Sequence, residues 1–174
     1  MKLRLAVPRH VEQVEPNSCV AACLCMMLDR SSAPFDQRAI HAGGASGNGH
    51  DLFGLARLHL DRHEELFLDD DPHPQLQTLV ARGALVALTI VGPVYVRALG
   101  HAPAGAGSRH GPLCAPGAWG KPIHCLLVVG IEGGAYSCLD PYYPEVGQPF
   151  LVLAKDLRAM LGGAAVACFP SAAG

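Results

Sequence analysis

The sequence predicts an α+β fold, with N-terminal helices packed on a C-terminal antiparallel β-sheet. Three observations carry this. Apolar residues in the first third recur mostly at helical spacing, between breaks of Pro, Ser and Gly. The second half holds apolar runs of strand length bounded by turn residues. Two of those runs, His124–Ile131 and Tyr136–Leu139, flank Gly133-Gly134, a turn signal that joins antiparallel neighbours. The 174 residues suit a single domain with a substantial core, and residues 1–174 are read as one unit.

Taken in order, Pro16-Asn17-Ser18 is a helix start, with Asn17 or Ser18 as the cap of a helix over Cys19–Asp29. That helix is apolar nearly all round and is expected to be central and buried. Ser31 to Pro34 break it. A short helix over Phe35–His41 follows and ends at Gly43-Gly44, before a Gly-rich loop over Ala42–Gly49. Asp51–Arg62 carries Leu52, Leu55, Ala56, Leu58 and Leu60 at a mostly helical spacing. Asp69-Asp70-Asp71 precedes a helix over His73–Arg82, where negative charge suits a helix N-terminus. The acidic run reads as a solvated turn rather than a metal site.

Leu85–Val91 is a buried strand, and the Gly133-Gly134 hairpin comes next in the sheet. Phe150–Leu153 and Ala164–Phe169 are further strands, with a short helix over Lys155–Leu161 between them. Arg97–Lys121 is rich in Gly, Ala and Pro and carries His101, His110, Cys114 and Trp119. It is too long for an ordinary connection and is read as an inserted loop, either a lid or partner-binding element, or a segment without a special role. The pairs Gly43-Gly44, Gly133-Gly134 and Gly162-Gly163 are read as turns.

Composition narrows the function classes. Half of the residues are hydrophobic and 16% are charged, which argues against disorder. The net charge of −2 and the lack of a basic stripe argue against nucleic acid as a partner. The N-terminal stretch has no apolar run of signal-peptide length, and the longest apolar runs are strand-sized. A soluble cytoplasmic protein with no membrane partner is expected, and the excess of Ala, Gly, Pro and Arg over Lys is typical of a high-GC bacterial genome. Seven cysteines without a secretion signal read mostly as small buried hydrophobes in a reducing compartment. Cys23, Cys25, Cys114, Cys125 and the loop histidines lack CxxC spacing, so no metal and no cofactor are expected.

The residues that point to chemistry are Gln13, Cys19, His124 and Asp140, in that order along the chain. A free thiol has a pKa near ~8.5, so a nucleophilic Cys needs help to ionise. A helix N-terminus favours the anion through its exposed amides and dipole, and Cys19 is placed there. An imidazole beside it takes the proton and later protonates the leaving amine, the role open to His124 at the start of a strand. Asp140 would hold the other ring N–H and fix the tautomer. The Gln13 side-chain amide and the Cys19 backbone N–H would donate to the oxyanion. Cys23, one helical turn from Cys19, either packs in the core or modulates the thiol.

The segment EQVEPNSCVAACLCMML resembles the start of papain-like cysteine peptidases, and most of all the bacterial double-glycine peptidases that process bacteriocin leaders and their stand-alone relatives. Gln13, Cys19, Ala21, Ala22 and Cys23 match that pattern. His124-Cys125-Leu126-Leu127-Val128-Val129-Gly130 matches the family's His strand, and Leu139-Asp140-Pro141 its acid. Asp51-Leu52-Phe53-Gly54-Leu55-Ala56 is similar to its third helix. The likeness runs from about Val11 to Phe169. It implies a papain-like fold and a free-standing cysteine peptidase that cleaves a peptide or protein substrate, with small residues such as Gly-Gly before the cut. Val20 stands where the family has Gly, and the 97–121 loop is longer than usual. Those departures leave two other readings open. One is an acyltransferase, ligase or cyclase using the same Cys-His-Asp site; the other is a non-catalytic peptide-binding module.

Overall fold

Strands whose residues are apolar on both faces need covering from both sides, and the sheet here is built that way. The computed structural model describes residues 2–4, 6–28, 34–43, 51–99, 107–110 and 123–169. Its strands are β1 (Lys2–Arg4), β2 (His63–Phe67), β3 (Leu85–Val91), β4 (Ile123–Glu132), β5 (Ala135–Leu139), β6 (Phe150–Leu153) and β7 (Leu161–Cys168). Its helices are α1 (Cys19–Met27), α2 (Pro34–Ala42), α3 (Leu52–His59), α4 (His73–Ala81), α5 (Gly92–Leu99) and α6 (Ala154–Met160). The strands form one seven-stranded sheet in the order β2-β7-β3-β4-β5-β6, with β1 added on β4. Every pairing is antiparallel.

The two-residue period of the strands splits the core in two. Leu85 and Ala87 of β3 join Cys125, Leu127 and Val129 of β4 in a core shared with α1, Ile40 of α2 and α3. Val86, Leu88 and Ile90 join Leu126 and Val128 in a second core against α4, Tyr95 of α5 and α6. The expected α+β class holds, with the helices divided between both faces rather than gathered on one. All nine residues of α1 are buried, as its uniform apolarity requires.

The expected element boundaries mostly fall within a few residues of the observed ones, and the exceptions have physical reasons. The segment read as helix to Arg62 ends at His59, and β2 begins at His63. Its alternation is masked by charge: Glu64 and Glu65, on opposite faces of this edge strand, pair with Arg82 and Arg57. β1 and α5 were not expected. Neither Asn17 nor Ser18 gives α1 a side-chain cap; the Ser18 hydroxyl turns to the Glu15 carbonyl and to Gln37 of α2. Asp51 does cap, accepting from Gly54 N at 2.8 Å.

The Gly133-Gly134 hairpin is as expected, with φ of 60° and 82°, the left-handed values a two-residue turn of this kind demands. Gly162-Gly163 is not a turn. It lies inside β7, where the pairing with β3 shifts register between Leu88 and Ile90. A Cβ at Gly162 would stand 2.7 Å from the Thr89 hydroxyl and 3.1 Å from the Thr89 carbonyl carbon. That hydroxyl bridges to both Ala164 N and Ala164 O, so it has little freedom to move away. Gly162→Ala should therefore lower the urea midpoint by the equivalent of about 1–3 kcal/mol, the usual cost of overpacking a tight site. An unchanged midpoint would show that β3 and β7 can part at the bulge.

Candidate active site

Folding brings residues 105 positions apart, Cys19 and His124, to one place. Cys19 is the first residue of α1, so its backbone N–H has no acceptor within the helix. His124 lies near the start of β4 and Asp140 follows the last residue of β5. The hairpin sets these two strand ends side by side, and His124 Nε2 lies 2.7 Å from Asp140 Oδ1. Both side chains are fully buried. Because Nε2 is committed to Asp140, the ring nitrogen left to face the thiol is Nδ1.

Electrostatics tie the three together. Burial alone pushes His124 toward the neutral form. The Asp140 carboxylate outweighs it through charge and hydrogen bond, and hydrogen bonding to Cys19 adds to the effect, so the imidazole is pushed up from 6.5 to about 10. Burial, and a contact from Cys23 Sγ to the Cys125 carbonyl at 3.8 Å, push the Cys23 thiol up, which marks it as a neutral core group.

Gln13 is fully buried beside this group. Its backbone N–H donates to Pro141 O at 2.7 Å, which fastens it to the turn that carries Asp140. Its Nε2 donates to Glu15 O at 2.8 Å. The same carbonyl accepts from Ser18 N, so the Gln13 amide stands against the mouth of α1. One of the two amide hydrogens is thereby used, and Oε1 has no partner among the described residues. Val20, which takes the place of the expected Gly, turns its side chain into the core under α1.

Several residues of the site were not legible in the sequence. The Tyr95 hydroxyl donates to Asp140 Oδ2 at 2.6 Å. Tyr142 N donates to Asp140 Oδ1 at 2.8 Å, and its ring meets the His124 ring edge to face, 5.9 Å between centroids. Gln148 clamps the Asp140 backbone, accepting from its N–H at 2.5 Å and donating to its carbonyl at 2.8 Å. His10 Nε2 donates to the same carbonyl at 3.0 Å. Gln37 holds the approach to α1, accepting from Val14 N and donating to Glu12 O. The run Asp140-Pro141-Tyr142-Tyr143 and the Pro93 near the start of α5 were the available signals for two of these.

Of the 97–121 loop, Arg97 to Leu99 belong to α5, and 107–110 is the other described part. There Arg109 Nη2 and His110 Nε2 both donate to Gln13 O at 2.9 Å. Arg109 also pairs with Glu12 at 2.9 Å, and Tyr142 donates to His110 O at 3.3 Å. His101, Cys114 and Trp119 lie outside the described residues. Cys19 has no exposed surface in this conformation and His124 has 1%. Among the described residues no group of three or more His, Cys, Asp or Glu could hold a metal, and no helix is long and apolar enough to cross a membrane.

The carboxylate's part in raising His124 can be tested directly. Asp140→Asn should bring the ring pKa down from about 10, read by ring nitrogen NMR. The folded value lies above the unfolded one, so the pair's contribution is complete below about pH 6.5 and is lost as pH rises through about 10. The gap in stability between the parent and Asp140→Asn should therefore narrow at alkaline pH. A ring in the variant that still titrates near 10 would show that the carboxylate is not the cause.

No protein-family model matches this chain, and no curated protein matches it. Among solved structures it is similar to a "putative C39-like peptidase" from Bacillus anthracis, with a TM-score of 0.62 and 14% sequence identity. The alignment covers 96% of this chain and 96% of that one. At so low an identity the likeness concerns the backbone, and it shows that the two chains share a fold over nearly their whole length.

Proposed function

We propose that this chain is a cysteine peptidase, with Cys19 as nucleophile, His124 as general acid and base, Asp140 as the group that orients His124, and Gln13 as an oxyanion donor. The observation that carries the reading is the buried His124–Asp140 pair at 2.7 Å, joined by hydrogen bonding to a thiol at a helix N-terminus. The shared fold with the Bacillus anthracis protein, itself described as a "putative C39-like peptidase", supports it. The resemblance seen in the sequence suggests a leader peptide with small residues such as Gly-Gly before the scissile bond.

The steps follow from these positions. The Cys19 thiolate attacks the carbonyl carbon, and the negative oxygen is met by the Cys19 N–H and the second hydrogen of the Gln13 amide. The imidazolium of His124 gives its proton to the amine as the C–N bond breaks, leaving a thioester. Water then enters, His124 takes its proton, and the C–S bond breaks to release the acid. Asp140 keeps the ring aimed with Nδ1 toward sulfur throughout. A second reading is favoured by the closed site: with Cys19 and His124 screened from water, the thioester would pass to an amine acceptor, making the chain a ligase or cyclase.

Cys19→Ala should abolish cleavage of Gly-Gly-containing peptides while leaving the fold intact by circular dichroism; undiminished cleavage would remove the proposal. An electrophilic thiol probe should label Cys19 ahead of the other cysteines in the parent protein. Gln13→Ala should lower kcat by roughly 100- to 1,000-fold with little change in KM, the usual cost of one oxyanion donor. Mass spectra with an amine acceptor present separate hydrolysis from acyl transfer.

A further inference from the structure

Asp140 is held on every side, and one of its partners stands apart from the rest. Oδ1 accepts from His124 Nε2 and from Tyr142 N. The backbone is fixed by Gln148 and His10. Oδ2 accepts from the Tyr95 hydroxyl, which comes from α5 and the opposite core. We propose that Tyr95 is a positioning residue of the catalytic site: its hydroxyl fixes the plane of the Asp140 carboxylate and draws charge away from the oxygen that faces His124. The proposal rests on the reading of Cys19, His124 and Asp140 as a peptidase site and adds to it a residue that touches neither substrate nor sulfur.

A fully buried carboxylate oxygen without a donor is costly, and a neutral phenol is the strongest donor that brings no charge of its own. Tyr95 is itself buried, and burial together with the Asp140 charge pushes its ionisation far upward, so it stays a donor across the working range of pH. Its ring lies 6.2 Å from the His124 ring, which limits sideways drift of the imidazole. The other groups near the pair are Cys19 and Cys23 from α1, Cys138 from β5, Tyr143 from the following turn, and His10 on the Asp140 carbonyl. The thiols of Cys23 and Cys138 stay protonated through burial and are directed to the carbonyls of Cys125 and Tyr136, each at 3.8 Å, rather than to the carboxylate.

The sign is fixed by linkage. The Tyr95 hydrogen bond is strongest when the Asp140 charge is no longer offset by a protonated His124. It therefore favours the deprotonated ring and tempers a pull that otherwise makes His124 too basic to act near neutrality. Removing the hydroxyl should raise the His124 pKa, not lower it.

The test is Tyr95→Phe, read three ways. Ring NMR should show His124 titrating higher than in the parent protein, by roughly half a unit to one unit. The alkaline limb of Cys19 alkylation should move up with it. With a cleaved peptide, kcat should fall about 10-fold or more with KM nearly unchanged, because the ring is less well aimed. Tyr136→Phe, which removes a phenol bonded to His73 rather than to Asp140, serves as the control and should leave His124 unmoved. Should Tyr95→Phe fail to fold, 3-fluorotyrosine at position 95 makes a stronger donor of the same shape, and His124 should then titrate lower than in the parent. A folded Tyr95→Phe whose His124 pKa is unchanged or lowered overturns the proposal, as does a fluorinated protein with no downward shift. The NMR readout needs no turnover, so absence of peptidase activity would count against the proposed function alone.

Discussion

Burial of an ion pair governs how the rest of this molecule is arranged. Moving the Asp140 carboxylate and the His124 imidazolium out of water costs several kcal/mol per ion, and one contact at 2.7 Å offsets that only if the remaining polar atoms are also satisfied. The surroundings of Asp140 meet that condition. Both carboxylate oxygens and both backbone polar atoms have partners, drawn from β4, α5, the turn after β5, and residues 10 and 148. A segment before α1 and a segment before β6 thus converge on one aspartate. The N-terminal stretch is ordered as much by that convergence as by any propensity of its own.

The sheet makes the convergence possible. The tight Gly133-Gly134 turn and the register shift between Val128 and Gly130 set the ends of β4 and β5 side by side, where the His124 and Asp140 side chains meet. β4 is the spine, paired with β1, β3 and β5, and α1 packs directly against it. An error in register would flip His124 to the wrong face, since side chains alternate along a strand. The two buried cores on either side make such a slip costly, so the same alternation that stabilises the sheet also places the imidazole.

Gln13 shows how a site is built from backbone as much as from side chains. Its N–H is tied to Pro141, its carbonyl is claimed by Arg109 and His110, and its amide reaches the mouth of α1. The backbone ties fix where the side chain starts, and the Glu15 carbonyl fixes where its amide ends. Among the described residues its Oε1 is left without a partner, the cost of that geometry.

Sequence alone determined the α+β class, because periodicity and turn residues are local signals: Leu85–Val91, Phe150–Leu153 and the Gly-Gly hairpin emerge at their observed places. It also placed Cys19 at a helix start and singled out Gln13, His124 and Asp140, since residue type and order survive in one dimension. What it missed depends on partners far along the chain. β2 is hidden by its glutamates, whose arginines sit on α3 and beyond α4; the Ser18 hydroxyl leaves its cap for Gln37; Gly162-Gly163 becomes a bulge because Thr89 lies opposite. Only the tertiary structure decided that Tyr95, Tyr142, Gln148 and His10 would surround Asp140. A hydrogen bond between residues 45 or 130 positions apart leaves no mark in local pattern, because it exists only once the two cores have closed on the sheet.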